Sequence, residues 1–262
     1  MSIIEIIEGN SPLVLGLPHT GTEVPPDCLA GLNDTGRALA DTDWHIDRLY
    51  AGLMPDATTV RTTIHRYVID ANRDPSGESL YPGQNTTTLC PLTDFDSAPI
   101  YLPGHTPQPT EVARRTDAYH APYHAALSAQ LERIKSKHGF ALLYDCHSIR
   151  SEIPFLFEGT LPDFNIGTHS GASCDPELEQ ITTRICTAAD GYSSTVNGRF
   201  KGGWTTRHYG QPTHAIHAIQ MELAQSTYMH ECPPWAYDET RASTLRSTLK
   251  TLLETLSDWR PQ

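Results

Sequence analysis

Short apolar runs alternate along the chain with longer amphipathic ones, the pattern of an α/β fold. The runs Ile3–Ile7, Pro12–Leu17, Thr58–Ile69, Ala141–Tyr144 and Ala218–Leu223 predict strands, and their Val, Ile and Leu content suits a sheet covered on both faces. Helical periodicity is clearest in three stretches. From Glu111 to Lys137, Val112, Tyr119, Tyr123, Leu127, Leu131 and Ile134 recur at spacings of three, four and seven. Thr110 stands where it can cap the start, Gly139 follows the end, and Pro122 predicts a kink. From Glu177 to Ala189 the start signal is Asp175-Pro176, an N-cap followed by proline at the first helical position. From Asp238 to Trp259, the residues Leu245, Leu249, Leu252, Leu256 and Trp259 share one face. A fourth helix is expected to begin near Thr35 and to carry Trp44, Asp47 and Leu53.

Two stretches read as loops. Asp74–Pro109 is punctuated by prolines from Pro75 to Pro107 and by Gly77, Gly83 and Gly104, a length typical of lids and binding segments. Asn197–Pro212 is dense in Gly, Arg and aromatics. Apolar strands resume after each, so residues 1–262 are expected to form one domain.

Composition narrows the function. The 262 residues hold 19 Lys plus Arg against 31 Asp plus Glu, a net charge of −12. Such a balance argues against nucleic acid and against anionic membrane surfaces as partners. No apolar run approaches the roughly 18 residues of a membrane span. The opening MSIIEIIEGN lacks a basic segment and a small-residue cleavage site, so a cytoplasmic protein is expected. Six cysteines are scattered without a C-x-x-C pair. Histidine, at 13, is the unusual count, and histidine is the commonest metal ligand and general base. Nothing in the pattern bears on oligomeric state.

Polar residues recur near the ends of the expected strands, where ligands bind in open α/β sheets. His19 follows LVLGLP, Asn72 and Arg73 follow RYVIDA, Asp145 and His147 follow ALLY, and Glu222 sits in IQMEL. Strand alternation puts Asp145 and His147 on one face and Cys146 on the other, which suits a metal-ligating histidine with a carboxylate as partner or co-ligand. A third ligand is sought in Asp41–Asp47, where Asp43 is favoured over His45 and Asp47; Glu23, four residues after His19, is a further alternative. Each has a plainer reading as a helix cap, an ordinary ion pair or a satisfied core histidine. Glu222, between Met221 and Leu223, is costly to bury unless it is paired or functional.

Taken in order, His19, Arg66-Tyr67, Asp70-Ala71-Asn72-Arg73, Asp145-Cys146-His147-Ser148 and Glu222 resemble the N-formylglutamate deformylase (N-formylglutamate amidohydrolase) family of histidine degradation. PHTGTEVP, DTDWHIDRLY, RYVIDANR, LYP, DCHSIRS and GRFKGGWTTRHYG carry the resemblance from Pro18 to Glu222. It implies a phosphorylase/hydrolase-like, zinc-carboxypeptidase-like fold: one α/β domain with a central mixed, mostly parallel sheet flanked by helices. It further implies one divalent metal, zinc by preference, with His19 and His147 as ligands. Arg66 would polarise the scissile carbonyl, Asn72 and Arg73 would hold a substrate carboxylate, and Glu222 would act as general base and acid. Relatives with this site plan use a His-x-x-Glu pair, but Thr22 stands where that Glu would be, and Asp43 is the substitute. The implied reaction converts N-formyl-L-glutamate to L-glutamate and formate. A small dicarboxylate needs a second cationic contact, sought in Arg150 or Arg207, with Asn197 and Tyr209 as hydrogen-bonding partners. Three other readings stand beside it: a deacylase or carboxypeptidase-like amidase for another N-acylated acidic amino acid, a thiol hydrolase built on Cys146, and a non-catalytic binder of acidic amino acids.

Overall fold

A computed structural model describes residues 2–80 and 83–262. Met1, Tyr81 and Pro82 lie outside the described residues, and with them part of the LYP motif. In chain order the strands are β1 (Ile4–Ile7), β2 (Leu13–Leu17), β3 (Thr58–Thr62), β4 (Ala141–Ile149), β5 (Phe164–Gly167), β6 (Ser194–Val196) and β7 (Ile216–Ala224). The helices are α1 (Pro26–Gly31), α2 (Asp34–Arg37), α3 (Ile46–Tyr50), α4 (Pro109–Arg115), α5 (Ala121–His138), α6 (Pro176–Thr187), α7 (Trp204–Tyr209) and α8 (Glu239–Asp258). The sheet order is β1-β3-β2-β4-β7-β5-β6. β3, β2, β4 and β7 run parallel, while β1 at one edge and the β5–β6 pair at the other oppose them. The α/β fold with a mixed, mostly parallel sheet is as expected.

β2, β4 and β7 are buried along their whole length because helices cover both faces. On one face Leu142, Tyr144, Cys146, Ile219 and Met221 pack against α3, α6 and α8. On the other, Val14, Leu143 and Ala218 meet Tyr123, Leu127, Leu131 and Ile134 of α5. α8 presents Leu245, Leu249, Leu252, Leu253 and Leu256 to the core, each contributing about 1.5–3 kcal/mol by burial. Asp238 caps its start by accepting from the N–H groups of Thr240 and Arg241, and Asp175 caps α6 through Glu177 N–H.

Several expectations need correction. The strand from Thr58 stops at Thr62, and Ile64–Ile69 form a turn closed by Val68 N–H to His65 O. Ile64, Tyr67, Val68 and Ile69 are apolar because they fill small clusters beneath the long loop. β4 runs five residues past Tyr144, because β7 pairs with it residue by residue from Ala141–Ile216 to Ile149–Ala224, whatever the side-chain polarity. The helix expected from Thr35 is two short ones, α2 and α3, parted by a bend in which Leu39 and His45 take left-handed backbone angles. The 111–137 helix has Gln108, not Thr110, at its N-cap and is interrupted by a π-helical segment, Thr116–His120, just before Pro122. That wider turn accommodates the missing proline N–H. α7 lies inside the 197–212 stretch taken for a loop.

Candidate active site

Three segments distant in sequence converge where the parallel strands end. Pro18 terminates β2 and His19 follows it inward; Asp43 occupies the bend before α3; His147 projects from β4 on the face opposite Cys146. All three are buried. His19 Nδ1 and His147 Nδ1 are 3.2 Å apart, and Asp43 Oδ2 is 3.7 Å from the first and 3.3 Å from the second. The Asp43 N–H donates to His19 O at 3.1 Å and Ser148 N–H donates to Asp43 Oδ2 at 3.1 Å, so the bend is stitched to both histidine segments.

Each imidazole has its other nitrogen against a carboxylate. His19 Nε2 lies 2.7 Å from Asp70 Oδ1, and His147 Nε2 lies 3.1 Å from Asp145 Oδ2. Backed in this way, an imidazole carries its proton on Nε2 and turns the Nδ1 lone pair inward. Burial works against a cation at His147, but Asp145 and Asp43 overcome it and hold its pKa well above the usual value. Asp43 is buried too, yet His19 and His147 keep it well below the ordinary carboxylate range. A field that favours a proton among these groups also favours a divalent cation. Two inward nitrogens and a carboxylate oxygen, all within 4.8 Å of one another, therefore fit a metal ion. A second such group among the described residues, Asp27, Cys28 and Glu111, has its carboxylates ion-paired to Arg114 and Arg115 instead.

Glu222 faces the same space because β7 pairs it with His147 across the ladder. Gly203 N–H donates to Gln220 Oε1 at 2.6 Å, which turns that amide so that Nε2 donates to Glu222 Oε2 at 3.0 Å. Burial pushes the Glu222 carboxyl up to about 7, with His147 opposing and Asp43 reinforcing. Arg66 is fixed by Asp70 Oδ2 at 2.8 Å and Asp43 Oδ1 at 3.4 Å, and its guanidinium lies 4.8 Å from the centre of the Phe95 ring. The cleft these groups share spans about 570 Å³, part of it open solvent. Its wall carries Arg66, Arg73 and Arg199 against one acid, Glu222: a positive pocket in a protein of net charge −12.

His19, Asp43, Arg66, Asn72, Arg73, His147 and Glu222 are thus brought together. Asn72 is held through its Oδ1, which accepts from Thr205 N–H at 2.9 Å, and its Nδ2 lies 3.1 Å from His147 Nε2. Of the residues considered as third ligand, only Asp43 reaches the histidines. Glu23 is exposed and bridges to Ile64, His45 Nε2 contacts Trp235 O at 2.7 Å, and Asp47 pairs with Arg61 at 3.4 Å. Arg150, Arg207, Asn197 and Tyr209 are absent from the cavity wall. Arg150 pairs with Asp96 and Arg207 Nε donates to Gly202 O. The Asn197 carboxamide accepts from the N–H groups of Thr168 and Ser170, and Tyr209 OH bonds to His124 O. Two residues given no role in the sequence also bear on the site: Asp70, behind His19, and Arg199, on the cavity wall. Both lie inside motifs already singled out, RYVIDANR and GRFKGGW.

Comparisons with known proteins identify the family. The family model of N-formylglutamate amidohydrolase matches residues 11–229. The chain is 47% identical over 258 residues to the N-formylglutamate deformylase of Pseudomonas aeruginosa, covering 98% of this chain and 97% of that one. It is 45% identical over 258 residues to the N-formylglutamate deformylase of Pseudomonas putida, covering 98% and 96%. The fold matches the crystal structure of N-formylglutamate amidohydrolase from Ralstonia eutropha JMP134 with a TM-score of 0.81, at 27% identity and 98% coverage of both chains. The matched span takes in the whole constellation from His19 to Glu222, and the chain belongs to the N-formylglutamate amidohydrolase family.

Proposed function

We propose that this chain hydrolyses N-formyl-L-glutamate to L-glutamate and formate. The observation that carries the reading is Glu222 standing beside the His19–Asp43–His147 donor set in a cavity whose charged wall is three arginines and one glutamate. The relatives' deformylase names agree with that substrate.

His19, Asp43 and His147 would hold one divalent metal, and two imidazoles with one carboxylate are a ligand set of catalytic zinc. When bound, such an ion lowers the pKa of water and polarises a carbonyl oxygen. Glu222, with a pKa of about 7, takes the proton from the attacking water and returns it to the amide nitrogen as the C–N bond breaks. Arg66 faces the oxygen on which charge develops, its own position set by Asp43 and Asp70. Arg73 holds the carboxylate nearest the scissile bond, with Asn72 beside it on the cavity wall. All six cysteines are free, as suits a reducing compartment. Among the described residues no helix is long and apolar enough to cross a membrane. The reading is therefore a cytoplasmic enzyme, one amidohydrolase domain over residues 1–262, with no nucleic-acid or membrane partner.

L-glutamate release from N-formyl- and N-acetyl-L-glutamate, by protein stripped with a chelator and then resupplied with zinc, tests this. Turnover is expected for the formyl substrate once metal is restored. Full activity in stripped protein, or equal turnover of the acetyl substrate, overturns it.

A further inference from the structure

A dicarboxylate substrate needs two cationic contacts, and the cavity wall offers three arginines among the described residues. Arg66 is the least available, because Asp70 and Asp43 already meet its charge at 2.8 and 3.4 Å. Arg73 Nη1 lies 3.7 Å from Asp70 Oδ2, and the other oxygen of Asp70 meets His19, so this guanidinium belongs to the end of the cavity where the donor set lies. The substrate's α-carboxylate, one carbon from the scissile nitrogen, falls to that end. Arg199 belongs to a different setting. Phe95, Ile149, Leu156 and Phe200, all on the cavity wall, form part of one apolar cluster, and Arg199 stands among them.

Arg199 is also held in place before any substrate arrives. Its Nε donates to Leu156 O at 2.9 Å and its Nη2 to Asn85 O at 2.9 Å, and its guanidinium carbon lies 5.4 Å from the centre of the Phe200 ring. Asn85 Nδ2 in turn donates to Phe155 O at 2.7 Å, so three loops are tied together around this one side chain. A planar guanidinium fixed by neighbouring carbonyls recognises a carboxylate with little further loss of side-chain freedom. An apolar wall next to it suits the methylenes that separate the two carboxylates of a glutamyl group.

Building on the proposed deformylase reaction, we infer that Arg199 reads the side-chain carboxylate of the substrate and sets the preference for acidic over neutral N-formyl amino acids. Arg150 and Arg207, the other arginines that the sequence offers for this task, lie off the wall.

The test compares kcat/KM for N-formyl-L-glutamate with that for its neutral isostere N-formyl-L-glutamine, in wild type, Arg199→Met, Arg199→Lys and Arg73→Met, with thermal melting read for each. Loss of a desolvated charge partner costs roughly 100-fold in affinity, so the glutamate-to-glutamine preference is expected to collapse by about that factor in Arg199→Met, through KM. Arg199→Lys, which keeps the charge and loses the fork, falls between, and carries the test by itself if the Met variant does not fold. Arg73→Met loses both substrates alike, since both bear the α-carboxylate. An unchanged preference in folded Arg199 variants, or an equal loss on both substrates, overturns the inference. Wild-type protein that releases formate from neither substrate overturns the proposed function instead.

Discussion

Asp70 is buried and carries three donors on two oxygens, with a second guanidinium nearby. Oδ1 accepts from His19 Nε2 at 2.7 Å and Asn72 N–H at 2.8 Å; Oδ2 accepts from Arg66 at 2.8 Å and lies 3.7 Å from Arg73. Asp70→Asn keeps the shape but sets an NH2 group against donors whichever way the amide turns. Removing one partner of a buried ion pair costs about 3–5 kcal/mol. Asp43, 3.4 Å from Arg66, still compensates part of that charge, so the lower figure of about 3 kcal/mol is expected. For a chain of this size that is a fall in Tm of roughly 6–12 °C. Zinc affinity should drop about 10–100-fold as His19 loses the carboxylate that orients its ring. The pH dependence has a definite sign. Burial raises the Asp70 carboxyl, but Arg73, His19 and Arg66 outweigh it and hold the pKa well below the usual value. The folded pKa lies below the unfolded one of about 3.9, so this stabilisation is complete above that pH and is lost as pH falls from there through the folded pKa. The Tm gap between wild type and variant should therefore narrow on acidification below about pH 4. Thermal unfolding of chelator-stripped protein and zinc titration against a competing chelator measure both effects. A variant that melts with wild type and binds zinc as tightly would refute the reasoning.

Glu222→Gln should lower kcat about 10²–10⁴-fold with zinc affinity retained, and wild-type activity should rise with pH as the carboxyl ionises, the bound cation drawing its pKa below the value of about 7 that burial sets. The folded pKa here exceeds the unfolded one, so ionising Glu222 costs stability as pH climbs from about 4.3 towards 7, and the variant's Tm advantage should be greatest above neutrality. A flat pH–rate profile or near-normal turnover in the variant would contradict this. Gly203→Ala would place a Cβ 2.3 Å from the Asn72 amide in ordinary backbone geometry, so we expect about 1–3 kcal/mol of destabilisation and a larger proportional loss of kcat/KM, read by melting and kinetics together. Of the six thiols only Cys232 is exposed, while burial and then Asp145 raise the Cys146 pKa. One thiol per native chain should react with an alkylating reagent and activity should survive; inactivation would restore Cys146 as a nucleophile.

Much of this was legible in local pattern. The 3.6-residue periodicities of α5, α6 and α8 reflect one buried face each, and the caps Asp175 and Asp238 act within their own helix ends. The alternation that separates His147 from Cys146 is a property of any extended strand. Polarity concealed the rest. β4 continues through Asp145 and His147 because its neighbour β7 pairs with it there, and no local pattern of Asp-Cys-His-Ser announces a buried strand. Ile64–Ile69 read as strand because burial in loop clusters and burial in a sheet leave the same apolar signature.

From its sequence alone the chain settles the α/β class, the helices with a single apolar face, and the residue types capable of the chemistry, since these depend on neighbours a few positions away. The tertiary structure decides which carboxylate meets the two histidines, that Asp70 stands behind one of them, and that Arg199 rather than Arg150 or Arg207 lines the cavity. Those choices rest on contacts such as Asp43 with His147 and Asp70 with His19, between residues 104 and 51 positions apart. Strand register and the path of each loop set such distances, and neither leaves a periodic mark on the residues involved.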